Sequence, residues 1–575
     1  MFKVIKMNKK MVIQHLETIA TYLELKGENV FRISAYRKAA AALERDERSL
    51  NEIEQFSTIK GIGKGTEALI LEFIEKGETE TLNDLYEEIP TGLIPLLKLP
   101  GLGGKKLSRL YHDLNIVDEQ TLKEALMNGE VEKLQGFGKK TVENLLKALE
   151  DFHTRPERLP ISYAINVKHI IENHLKQIDG MTDFSVAGSM RRLKETVKDL
   201  DFIISSEQAE KVRDELIHLP IVKEIVSKGL TKVTIIVDFG WEMSVDFRIV
   251  RPEEFAQALH HFTGSMEHNV EMRRLAKQKG YKLSEYGFEH HETKEVLTFE
   301  TEKEIFHFLN LPYIAPELRE TGEELTIKEM PELIEEKHIR GDLHMHSTWS
   351  DGAQSIEEMV QRSIEKGYEY IAITDHSKFL QVANGLNEER LKKQREVIKQ
   401  LNEKYPNITI LSGIEMDILP DGQLDFSNDV LQELDFVIAS IHSSFNQSED
   451  KIMHRLKEAM ANPYVDMIAH PTGRLIGERP GYKVNIEQFI EWAQETNTII
   501  ELNANPNRLD LEWEWLNVAQ EKGVKIAINT DAHSFSMLDD MEIGVKAAKK
   551  GWILKDTVVN TWPLEQLRHF LNEKR

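Results

Sequence analysis

The 575-residue chain contains no cysteine. That absence excludes disulfides, thiolate zinc sites, iron–sulfur clusters and cysteine nucleophiles together. Any metal centre is left with His, Asp and Glu. Long apolar runs are missing as well: no stretch reaches the roughly 18 residues from which a spanning helix is read, so no membrane partner is expected. The first residues, MFKVIKMNKKMVIQHLETIATYL, have charge but neither an apolar signal core nor a small-residue cleavage site. Secretion is therefore not expected, and a cytoplasmic location is. Basic residues are outnumbered, 73 Lys and Arg against 97 Asp and Glu, for a net charge of -24. Taken over the whole chain, that balance argues against nucleic acid, which prefers basic partners. The 41% hydrophobic and 30% charged content fits a globular chain, and the length suggests three or four domains of about 150 residues.

The charge is not evenly spread. Residues 1–160 hold 24 basic and 26 acidic residues, 161–340 hold 24 and 33, and 341–575 hold 25 and 38. The N-terminal third is close to neutral. It is also where helix-like spacing dominates, in MVIQHLETIATYLELKG, YRKAAAALERDE and KTVENLLKALEDF. A soft boundary falls at Arg155–Pro160. Between 183 and 250 the pattern changes to short strands, FSVAG, LDFIIS, KVTIIVDF and MSVDFRIV. Pro316–Ile339, with two prolines, a glycine and a run of Glu, reads as a linker with short helical pieces. After 341, β-branched strands alternate with amphipathic helices, which argues for an α/β barrel or a doubly wound sheet.

One pattern repeats three times in the N-terminal third: Ile59-Lys60-Gly61-Ile62-Gly63, Leu99-Pro100-Gly101-Leu102-Gly103 and Leu134-Gln135-Gly136-Phe137-Gly138. Each copy precedes a helix. Glycines let backbone amides approach a phosphate closely, and the helix dipole favours the anion. Lys64, Lys105, Lys106, Lys139 and Lys140 add positive charge there. A glycine that merely caps a helical corner is the plainer reading of one copy; three copies favour phosphate binding. The pattern resembles helix-hairpin-helix motifs, which hold DNA backbone without reading sequence.

In the middle segment Gly188-Ser189-Met190-Arg191-Arg192 precedes Asp199-Leu200-Asp201 and Ser244-Val245-Asp246-Phe247-Arg248. Asp199 and Asp201 alternate along a strand and so share a face. Asp246, in a second strand, could pair beside them. Three convergent carboxylates suit two Mg²⁺ or Mn²⁺ ions about 3.5–4 Å apart, clamping the attacking and leaving oxygens of a phosphoryl transfer. Ser189 and Arg192 would hold a triphosphate opposite them.

With His261-Phe262-Thr263-Gly264-Ser265, Asn269 and Arg273 added, this segment resembles the polymerase core of the family X DNA polymerases. The resemblance implies that Asp199, Asp201 and Asp246 are the metal-binding catalytic triad. Gly188, Ser189 and Arg192 would be triphosphate contacts; Phe262, Gly264 and Asn269 sugar and minor-groove contacts; Arg273 a template-side contact. Asn29–Leu43 resembles the family's small lyase-type domain, yet Leu69 stands where lyase-competent relatives carry a Schiff-base lysine. A Schiff base needs a primary amine, so gap recognition is expected without that lyase chemistry. Arg32 is the candidate for a 5′-phosphate. Gly61, Gly63, Gly101, Gly103, Gly136 and Gly138 are the candidates for DNA backbone.

Beyond the linker come Asp342-Leu343-His344-Met345-His346 and Asp351. His344 and His346 alternate along a strand, a spacing suited to one metal. Further candidates stand at strand ends: His376, Glu415, His442, His470, Glu501, Asp531 and His533. Strand C-termini of an α/β barrel converge on one mouth. The segments DLHMHSTWSDG, TDHS, SGIEMDI, SIHSSF, AHPTG and NTDAHS resemble the polymerase-and-histidinol-phosphatase (PHP) family of phosphoesterases. That resemblance implies a distorted (β/α)7 barrel with a trinuclear centre held by His344, His346, Asp351, His376, Glu415, His442, His470, Asp531 and His533. Mn²⁺, Zn²⁺ or Fe²⁺ suits such ligands; the resemblance favours Mn²⁺.

The expected architecture is multidomain. A lyase-like helical domain with the first helix-hairpin-helix spans 1–80 and a helical DNA-binding subdomain 81–158. An α+β nucleotidyltransferase palm spans 159–250, a nucleotide-selection subdomain 251–315, a linker 316–340 and a PHP barrel 341–575. The resemblance implies a monomeric DNA-directed DNA polymerase filling gapped or nicked DNA from deoxynucleoside triphosphates in base excision repair. It further implies a 3′→5′ exonuclease, with abasic-site and 3′-phosphate processing open to the same centre. Two rivals are a DNA-end phosphoesterase whose polymerase core mainly holds DNA, and a non-catalytic DNA-end scaffold. The filled ligand sets speak against the second.

Overall fold

The computed structural model describes residues 9–46, 50, 53, 55–90, 92–97, 99, 102–153 and 158–575. They form two compact units. One comprises Met1–Arg155 with Ser347–Ser355 and Lys378–Asn387; the other comprises Pro156–His346, Ile356–Ser377 and Glu388–Arg575.

The first unit is helical. Val12, Leu16, Ile19 and Leu23 recur at helical spacing along Lys9–Lys26 and are buried against the helices that follow. Starts are set by polar caps: Asn29 accepts from the Phe31 amide and Thr79 from Leu82, while Asp118 and Thr121 form a reciprocal pair. The glycine repeats are three versions of one tight turn. Main-chain bonds Ile62→Ile59 (3.0 Å), Leu102→Leu99 (3.0 Å) and Phe137→Leu134 (3.1 Å) fold each copy. Ile59, Ile62, Leu99, Leu102 and Phe137 are buried. Gly61, at φ +116°, permits the reversal; a Cβ there would press on Ala42 at 3.2 Å. Gly63 and Gly103 directly precede the helices Lys64–Lys76 and Gly104–Leu114, and nothing lies within 4 Å of where their Cβ would be. Pro100 and Gly101 lie outside the described residues.

The second unit holds two sheets that matter for function. The first has five strands in the order Asp183–Val186, Asp199–Ser205, Glu242–Val250, Lys232–Asp238, Glu224–Lys228. Its second and third strands run parallel and the other pairs antiparallel. The edge strand Glu224–Lys228 is exposed throughout, which is why no alternation announces it in the sequence. A three-stranded meander, Tyr281–Ser284, Gly287–His290 and Val296–Leu297, was likewise not foreseen.

The second sheet has seven parallel strands in consecutive order: Gly341–Asp342, Tyr370–Ile373, Thr409–Asp417, Phe436–Ser440, Met467–Ile468, Ile499–Asn503 and Ile526–Asn529. A parallel bridge between Met345 and Ala532 brings the last strand round to the first, nearly closing a barrel. The strands are buried on both faces, as parallel strands flanked by helices must be, and so read as continuous apolar runs.

The stretch expected as a linker is a packed connection. It carries three short 3-10 turns, Pro316–Leu318, Glu323–Thr326 and Glu336–His338. Leu318, Leu325 and Leu333 complete the core formed around Met272, Phe288 and Phe306. Its glutamates are not simply solvated: Glu324 is buried and its Oε1 lies 2.7 Å from His268 Nδ1. Glu320 and Glu332 likewise meet lysines far along the chain, Lys550 and Lys555, so a local reading of charge misses them.

Glu302 ties this region together. Its carboxylate accepts from Arg191 at 2.7 and 3.1 Å and from the fully buried Arg319 at 2.5 Å. Burial pushes the Glu302 carboxyl up, but Arg319 and Arg191 outweigh it and hold it well below the ordinary range. A depressed carboxylate stabilises fully above its unfolded value, so this contribution is complete at neutral pH and is lost only in strong acid. Glu302→Ala strands the buried Arg319 guanidinium and removes a partner of the partly buried Arg191. We expect a loss of about 3–5 kcal/mol in urea denaturation at pH 7; a change below about 1 kcal/mol would show that the network is only decorative.

Candidate active sites

The parallel pairing of Asp199–Ser205 with Glu242–Val250 sets Asp201 directly beside Asp246 and Asp199 beside Ser244. Asp199, two residues before Asp201, shares its face. Gly188 approaches so closely, at φ +60°, that a Cβ there would collide with the Asp201 carboxylate. Burial, then the charges of Asp199 and Asp246, push the Asp201 carboxyl up to about 6. Asp246 accepts from Thr234 Oγ1 at 2.6 Å and pairs with Lys232 Nζ at 2.7 Å. Sequence reasoning missed both partners: they alternate in a strand whose neighbour only the sheet reveals. Three carboxylates gathered so closely that two of them raise the proton affinity of Asp201 are a donor set suited to divalent cations.

The second element is the turn after helix Phe255–Thr263. Arg192 donates to the Thr263 carbonyl, and a Cβ on Gly264 would lie 3.2 Å from its guanidinium. Phe262 lies under the Arg248 guanidinium, 4.7 Å from its centroid, and Arg248 is two residues beyond Asp246. Asn269 Nδ2 donates to the His261 carbonyl at 2.7 Å, while Ser265 caps helix Met266–Gln278. Ser189 is half-buried on the Gly188–Arg191 turn; Arg273 is exposed on the Met266–Gln278 helix, as is Arg32 in the other unit, where it pairs with Glu28 at 2.9 Å. Leu69 is buried in the helical core.

At the barrel mouth the strand ends converge on Glu415. Its Oε1 lies 3.0 Å from His470 Nε2 and 3.1 Å from His442 Nε2. Its Oε2 lies 2.9 Å from His376 Nδ1, 3.4 Å from His344 Nε2 and 3.5 Å from His346 Nε2. Asp531 Oδ1 is 3.1 Å from His346 Nε2 and 3.4 Å from His344 Nε2. The His533 ring stacks on His346 with centroids 4.0 Å apart. Asp351 is on the Ser347–Ser355 loop, which groups with the first unit.

Outer carboxylates orient the rings. Glu501 Oε1 meets His344 Nδ1 at 2.7 Å, and Asp417 Oδ1 meets His442 Nδ1 at 3.2 Å. Glu501 also accepts from the His470 amide at 2.8 Å and from Asn529 at 3.1 Å, and Asn503 donates to Asp531 at 3.1 Å. Only Glu501 among these was marked by its strand-end position. Asp417, Asn503 and Asn529 carried no signal, since neither spacing nor residue type separates them from ordinary polar positions.

Burial pulls the His442 imidazole down, yet Glu415 and Asp417 outweigh it and raise it to about 10. Burial, then His533 and His376, press His346 down to about 3. Glu415 stays well below the carboxylate range because His442, His376 and His344 overcome its burial. With Glu501 engaging Nδ1 of His344, its Nε2 faces His346 Nε2 at 3.3 Å. Two buried ring nitrogens so close, flanked by two carboxylates, form a donor set suited to cations held between them. His344, His346, Glu415 and Asp531 offer one such cluster; His376, Glu415 and His442 offer another.

Three protein-family models match. A helix-hairpin-helix domain covers residues 7–79, a DNA polymerase beta thumb 258–320 and a PHP domain 342–505. The DNA polymerase/3′-5′ exonuclease PolX of Bacillus subtilis is 55% identical over 566 residues, 98% of this chain and 99% of that protein. A probable phosphatase of a Thermoanaerobacter species is 33% identical over 249 residues, 41% of this chain and 95% of that protein. The DNA polymerase lambda of Rattus norvegicus is 24% identical over 339 residues, 54% of this chain and 56% of that protein.

The outer carboxylate generates a direct expectation. Glu501→Ala leaves His344 without its orienting partner and should weaken Mn²⁺ binding at the barrel mouth about 10–100-fold. Titration followed by the resonance of free Mn²⁺ reads this; unchanged affinity would mean that Glu501 plays no part in ordering the ligands.

Proposed function

The chain belongs to the bacterial family X DNA polymerases that carry a C-terminal PHP domain, and from that premise we propose how its two centres divide the chemistry. It is a DNA-directed DNA polymerase that fills short gaps in repair and a 3′→5′ exonuclease, and both activities use divalent metal. Asp199, Asp201 and Asp246 would hold two divalent ions, Mg²⁺ or Mn²⁺, which would supply Lewis-acid activation at the primer hydroxyl and charge stabilisation at the departing pyrophosphate. The Asp201–Asp246 register is the observation that best supports this assignment. Ser189 and Arg192, with the backbone of Gly188, take the triphosphate. Phe262, braced by Arg248, packs with Gly264 and Asn269 against the incoming sugar and the minor groove; Arg273 meets the template. Lys232 compensates the charge of Asp246 when no metal is bound.

In the barrel we assign His344, His346, Asp351, His376, Glu415, His442, His470, Asp531 and His533 as ligands of three ions, Mn²⁺ favoured over Zn²⁺. Ions held there would supply Lewis-acid activation of water and charge stabilisation at the departing 3′ oxygen. Glu501 and Asp417 fix the tautomers of His344 and His442. Removal of 3′-phosphates and cleavage at abasic sites are further reactions that this centre suits, a reading that the likeness to probable phosphatases supports. Gly61, Gly63, Gly101, Gly103, Gly136 and Gly138 turn backbone amides towards DNA phosphates, and Arg32 takes a 5′-phosphate. Leu69 leaves no amine for a Schiff base, so deoxyribose-phosphate lyase chemistry by that route is absent. We further propose a cytoplasmic monomer divided at about residues 80, 158, 250 and 340, with 316–340 as packed connection.

A single assay separates the centres. On a 5′-phosphorylated gapped duplex with Mn²⁺, Asp199→Ala should abolish nucleotide addition and His344→Ala should abolish end degradation, each by at least about 10³-fold. Either activity surviving its own substitution would refute that assignment. Polymerase activity that survives Asp246→Ala would favour the rival in which this core only holds DNA.

A further inference from the structure

The turn that carries the triphosphate ligands docks on the barrel. Leu193, just beyond Arg192, is buried at φ +53° and lines a small cavity together with Leu502, Leu509, Leu511, Trp513 and Ala547. Two ionic contacts flank it. Arg474 donates to both oxygens of Glu195, at 2.6 and 3.3 Å, and to Glu512 at 2.5 Å. On the other side Lys550 closes the barrel helix Met541–Lys550 and is 4% exposed. Its Nζ donates to the Arg192 carbonyl at 3.0 Å, the Glu317 carbonyl at 3.3 Å and the Glu320 carboxylate at 2.5 Å. Glu320 Oε1, the oxygen that Lys550 holds, stands 3.7 Å from Arg192 Nε, and Oε2 is 2.8 Å from Lys194.

We propose that Lys550, supplied by the phosphoesterase barrel, is a positioning residue for the triphosphate-binding Arg192 of the polymerase site. It acts twice. Its bond to the Arg192 carbonyl fixes the backbone from which the guanidinium projects. Its ammonium also keeps Glu320 engaged, and a carboxylate released there would close onto Arg192 and compete with the triphosphate for the same donors. A buried ammonium is tolerated only when its donors are satisfied, and here all three acceptors belong to the polymerase side of the fold. The barrel thereby sets the polymerase's affinity for nucleotide, independently of the barrel's own metal chemistry. The proposal rests on the reading of Arg192 as a triphosphate ligand.

The test is single-nucleotide insertion by the full chain on a one-nucleotide gapped duplex, with KM for the nucleotide separated from kcat. Exonuclease rate on single-stranded DNA reports the barrel's integrity. Lys550→Met should raise KM about tenfold with kcat and exonuclease rate within about twofold. Glu320→Gln alone should leave KM at or below the native value, because it removes the competitor. Lys550→Met combined with Glu320→Gln should return KM to within about threefold of native. A merely structural lysine would not be rescued in this way. The proposal fails if Lys550→Met retains exonuclease and native KM, if the double variant is no better than the single, or if Glu320→Gln raises KM. Arg192→Ala separates the two layers. If it raises KM while Lys550→Met does not, only the positioning role is wrong; if it leaves KM unchanged, the reading of Arg192 falls and the proposal with it.

Discussion

Carboxylates taken out of water and aimed at one another organise this molecule. Such groups repel, and the repulsion is relieved by protons, by basic side chains or by metal ions. The middle sheet uses parallel register to put Asp201 beside Asp246, and the cost of that juxtaposition is visible in the raised proton affinity of Asp201. At the barrel mouth Glu415 collects five imidazole nitrogens within 3.5 Å. The barrel site gathers at strand C-termini, where parallel chains can deliver several side chains to one point from distant stretches of sequence, whereas Asp199 and Asp201 open their strand and Asp246 lies inside the parallel neighbour. With no thiolate in the chain, both centres are limited to oxygen and imidazole ligands.

The same electrostatic bookkeeping joins the two centres. Glu302 is sandwiched by Arg191 and Arg319, Glu320 by Lys194 and Lys550, and Arg474 by Glu195 and Glu512. All three sets touch the turn that carries Ser189 and Arg192 or the segment 316–320 beside it. The turn from Gly188 to Arg192 is therefore braced from the barrel. The chain carries a polymerase and a 3′→5′ exonuclease; here they also share structural parts.

Much of the candidate site was legible from the sequence because its chemistry is local. D-x-D and H-x-H alternate on one strand face whatever the fold, and G-S next to an Arg pair or H-F-T-G-S survives as a short string. The glycine repeats were legible for a similar reason: the hydrophobic-x-Gly-hydrophobic-Gly spacing encodes one tight turn that any copy must make. What escaped were partners across space. Lys232 and Thr234 meet Asp246 only through antiparallel register, and Asp417, Asn503 and Asn529 are ordinary polar letters until the barrel closes. Glu320 and Glu324 looked solvated because their partners, Lys194, Lys550 and His268, lie far off in the chain.

Sequence alone thus determined the ligand types, the strand–helix alternation of the C-terminal half, the three glycine turns and the absence of a lyase amine at Leu69. Each follows from residue type and short-range spacing, which backbone geometry converts directly into shared faces. Tertiary structure alone decided that Asp246 lies beside Asp201, that Glu415 is the hub of the histidine cluster, that Leu318, Leu325 and Leu333 of the connection join a core, and that Lys550 reaches Arg192. Those facts depend on strand order and on the pairing of buried charges over hundreds of residues, where desolvation forces each charge to find a partner and no local pattern says which one.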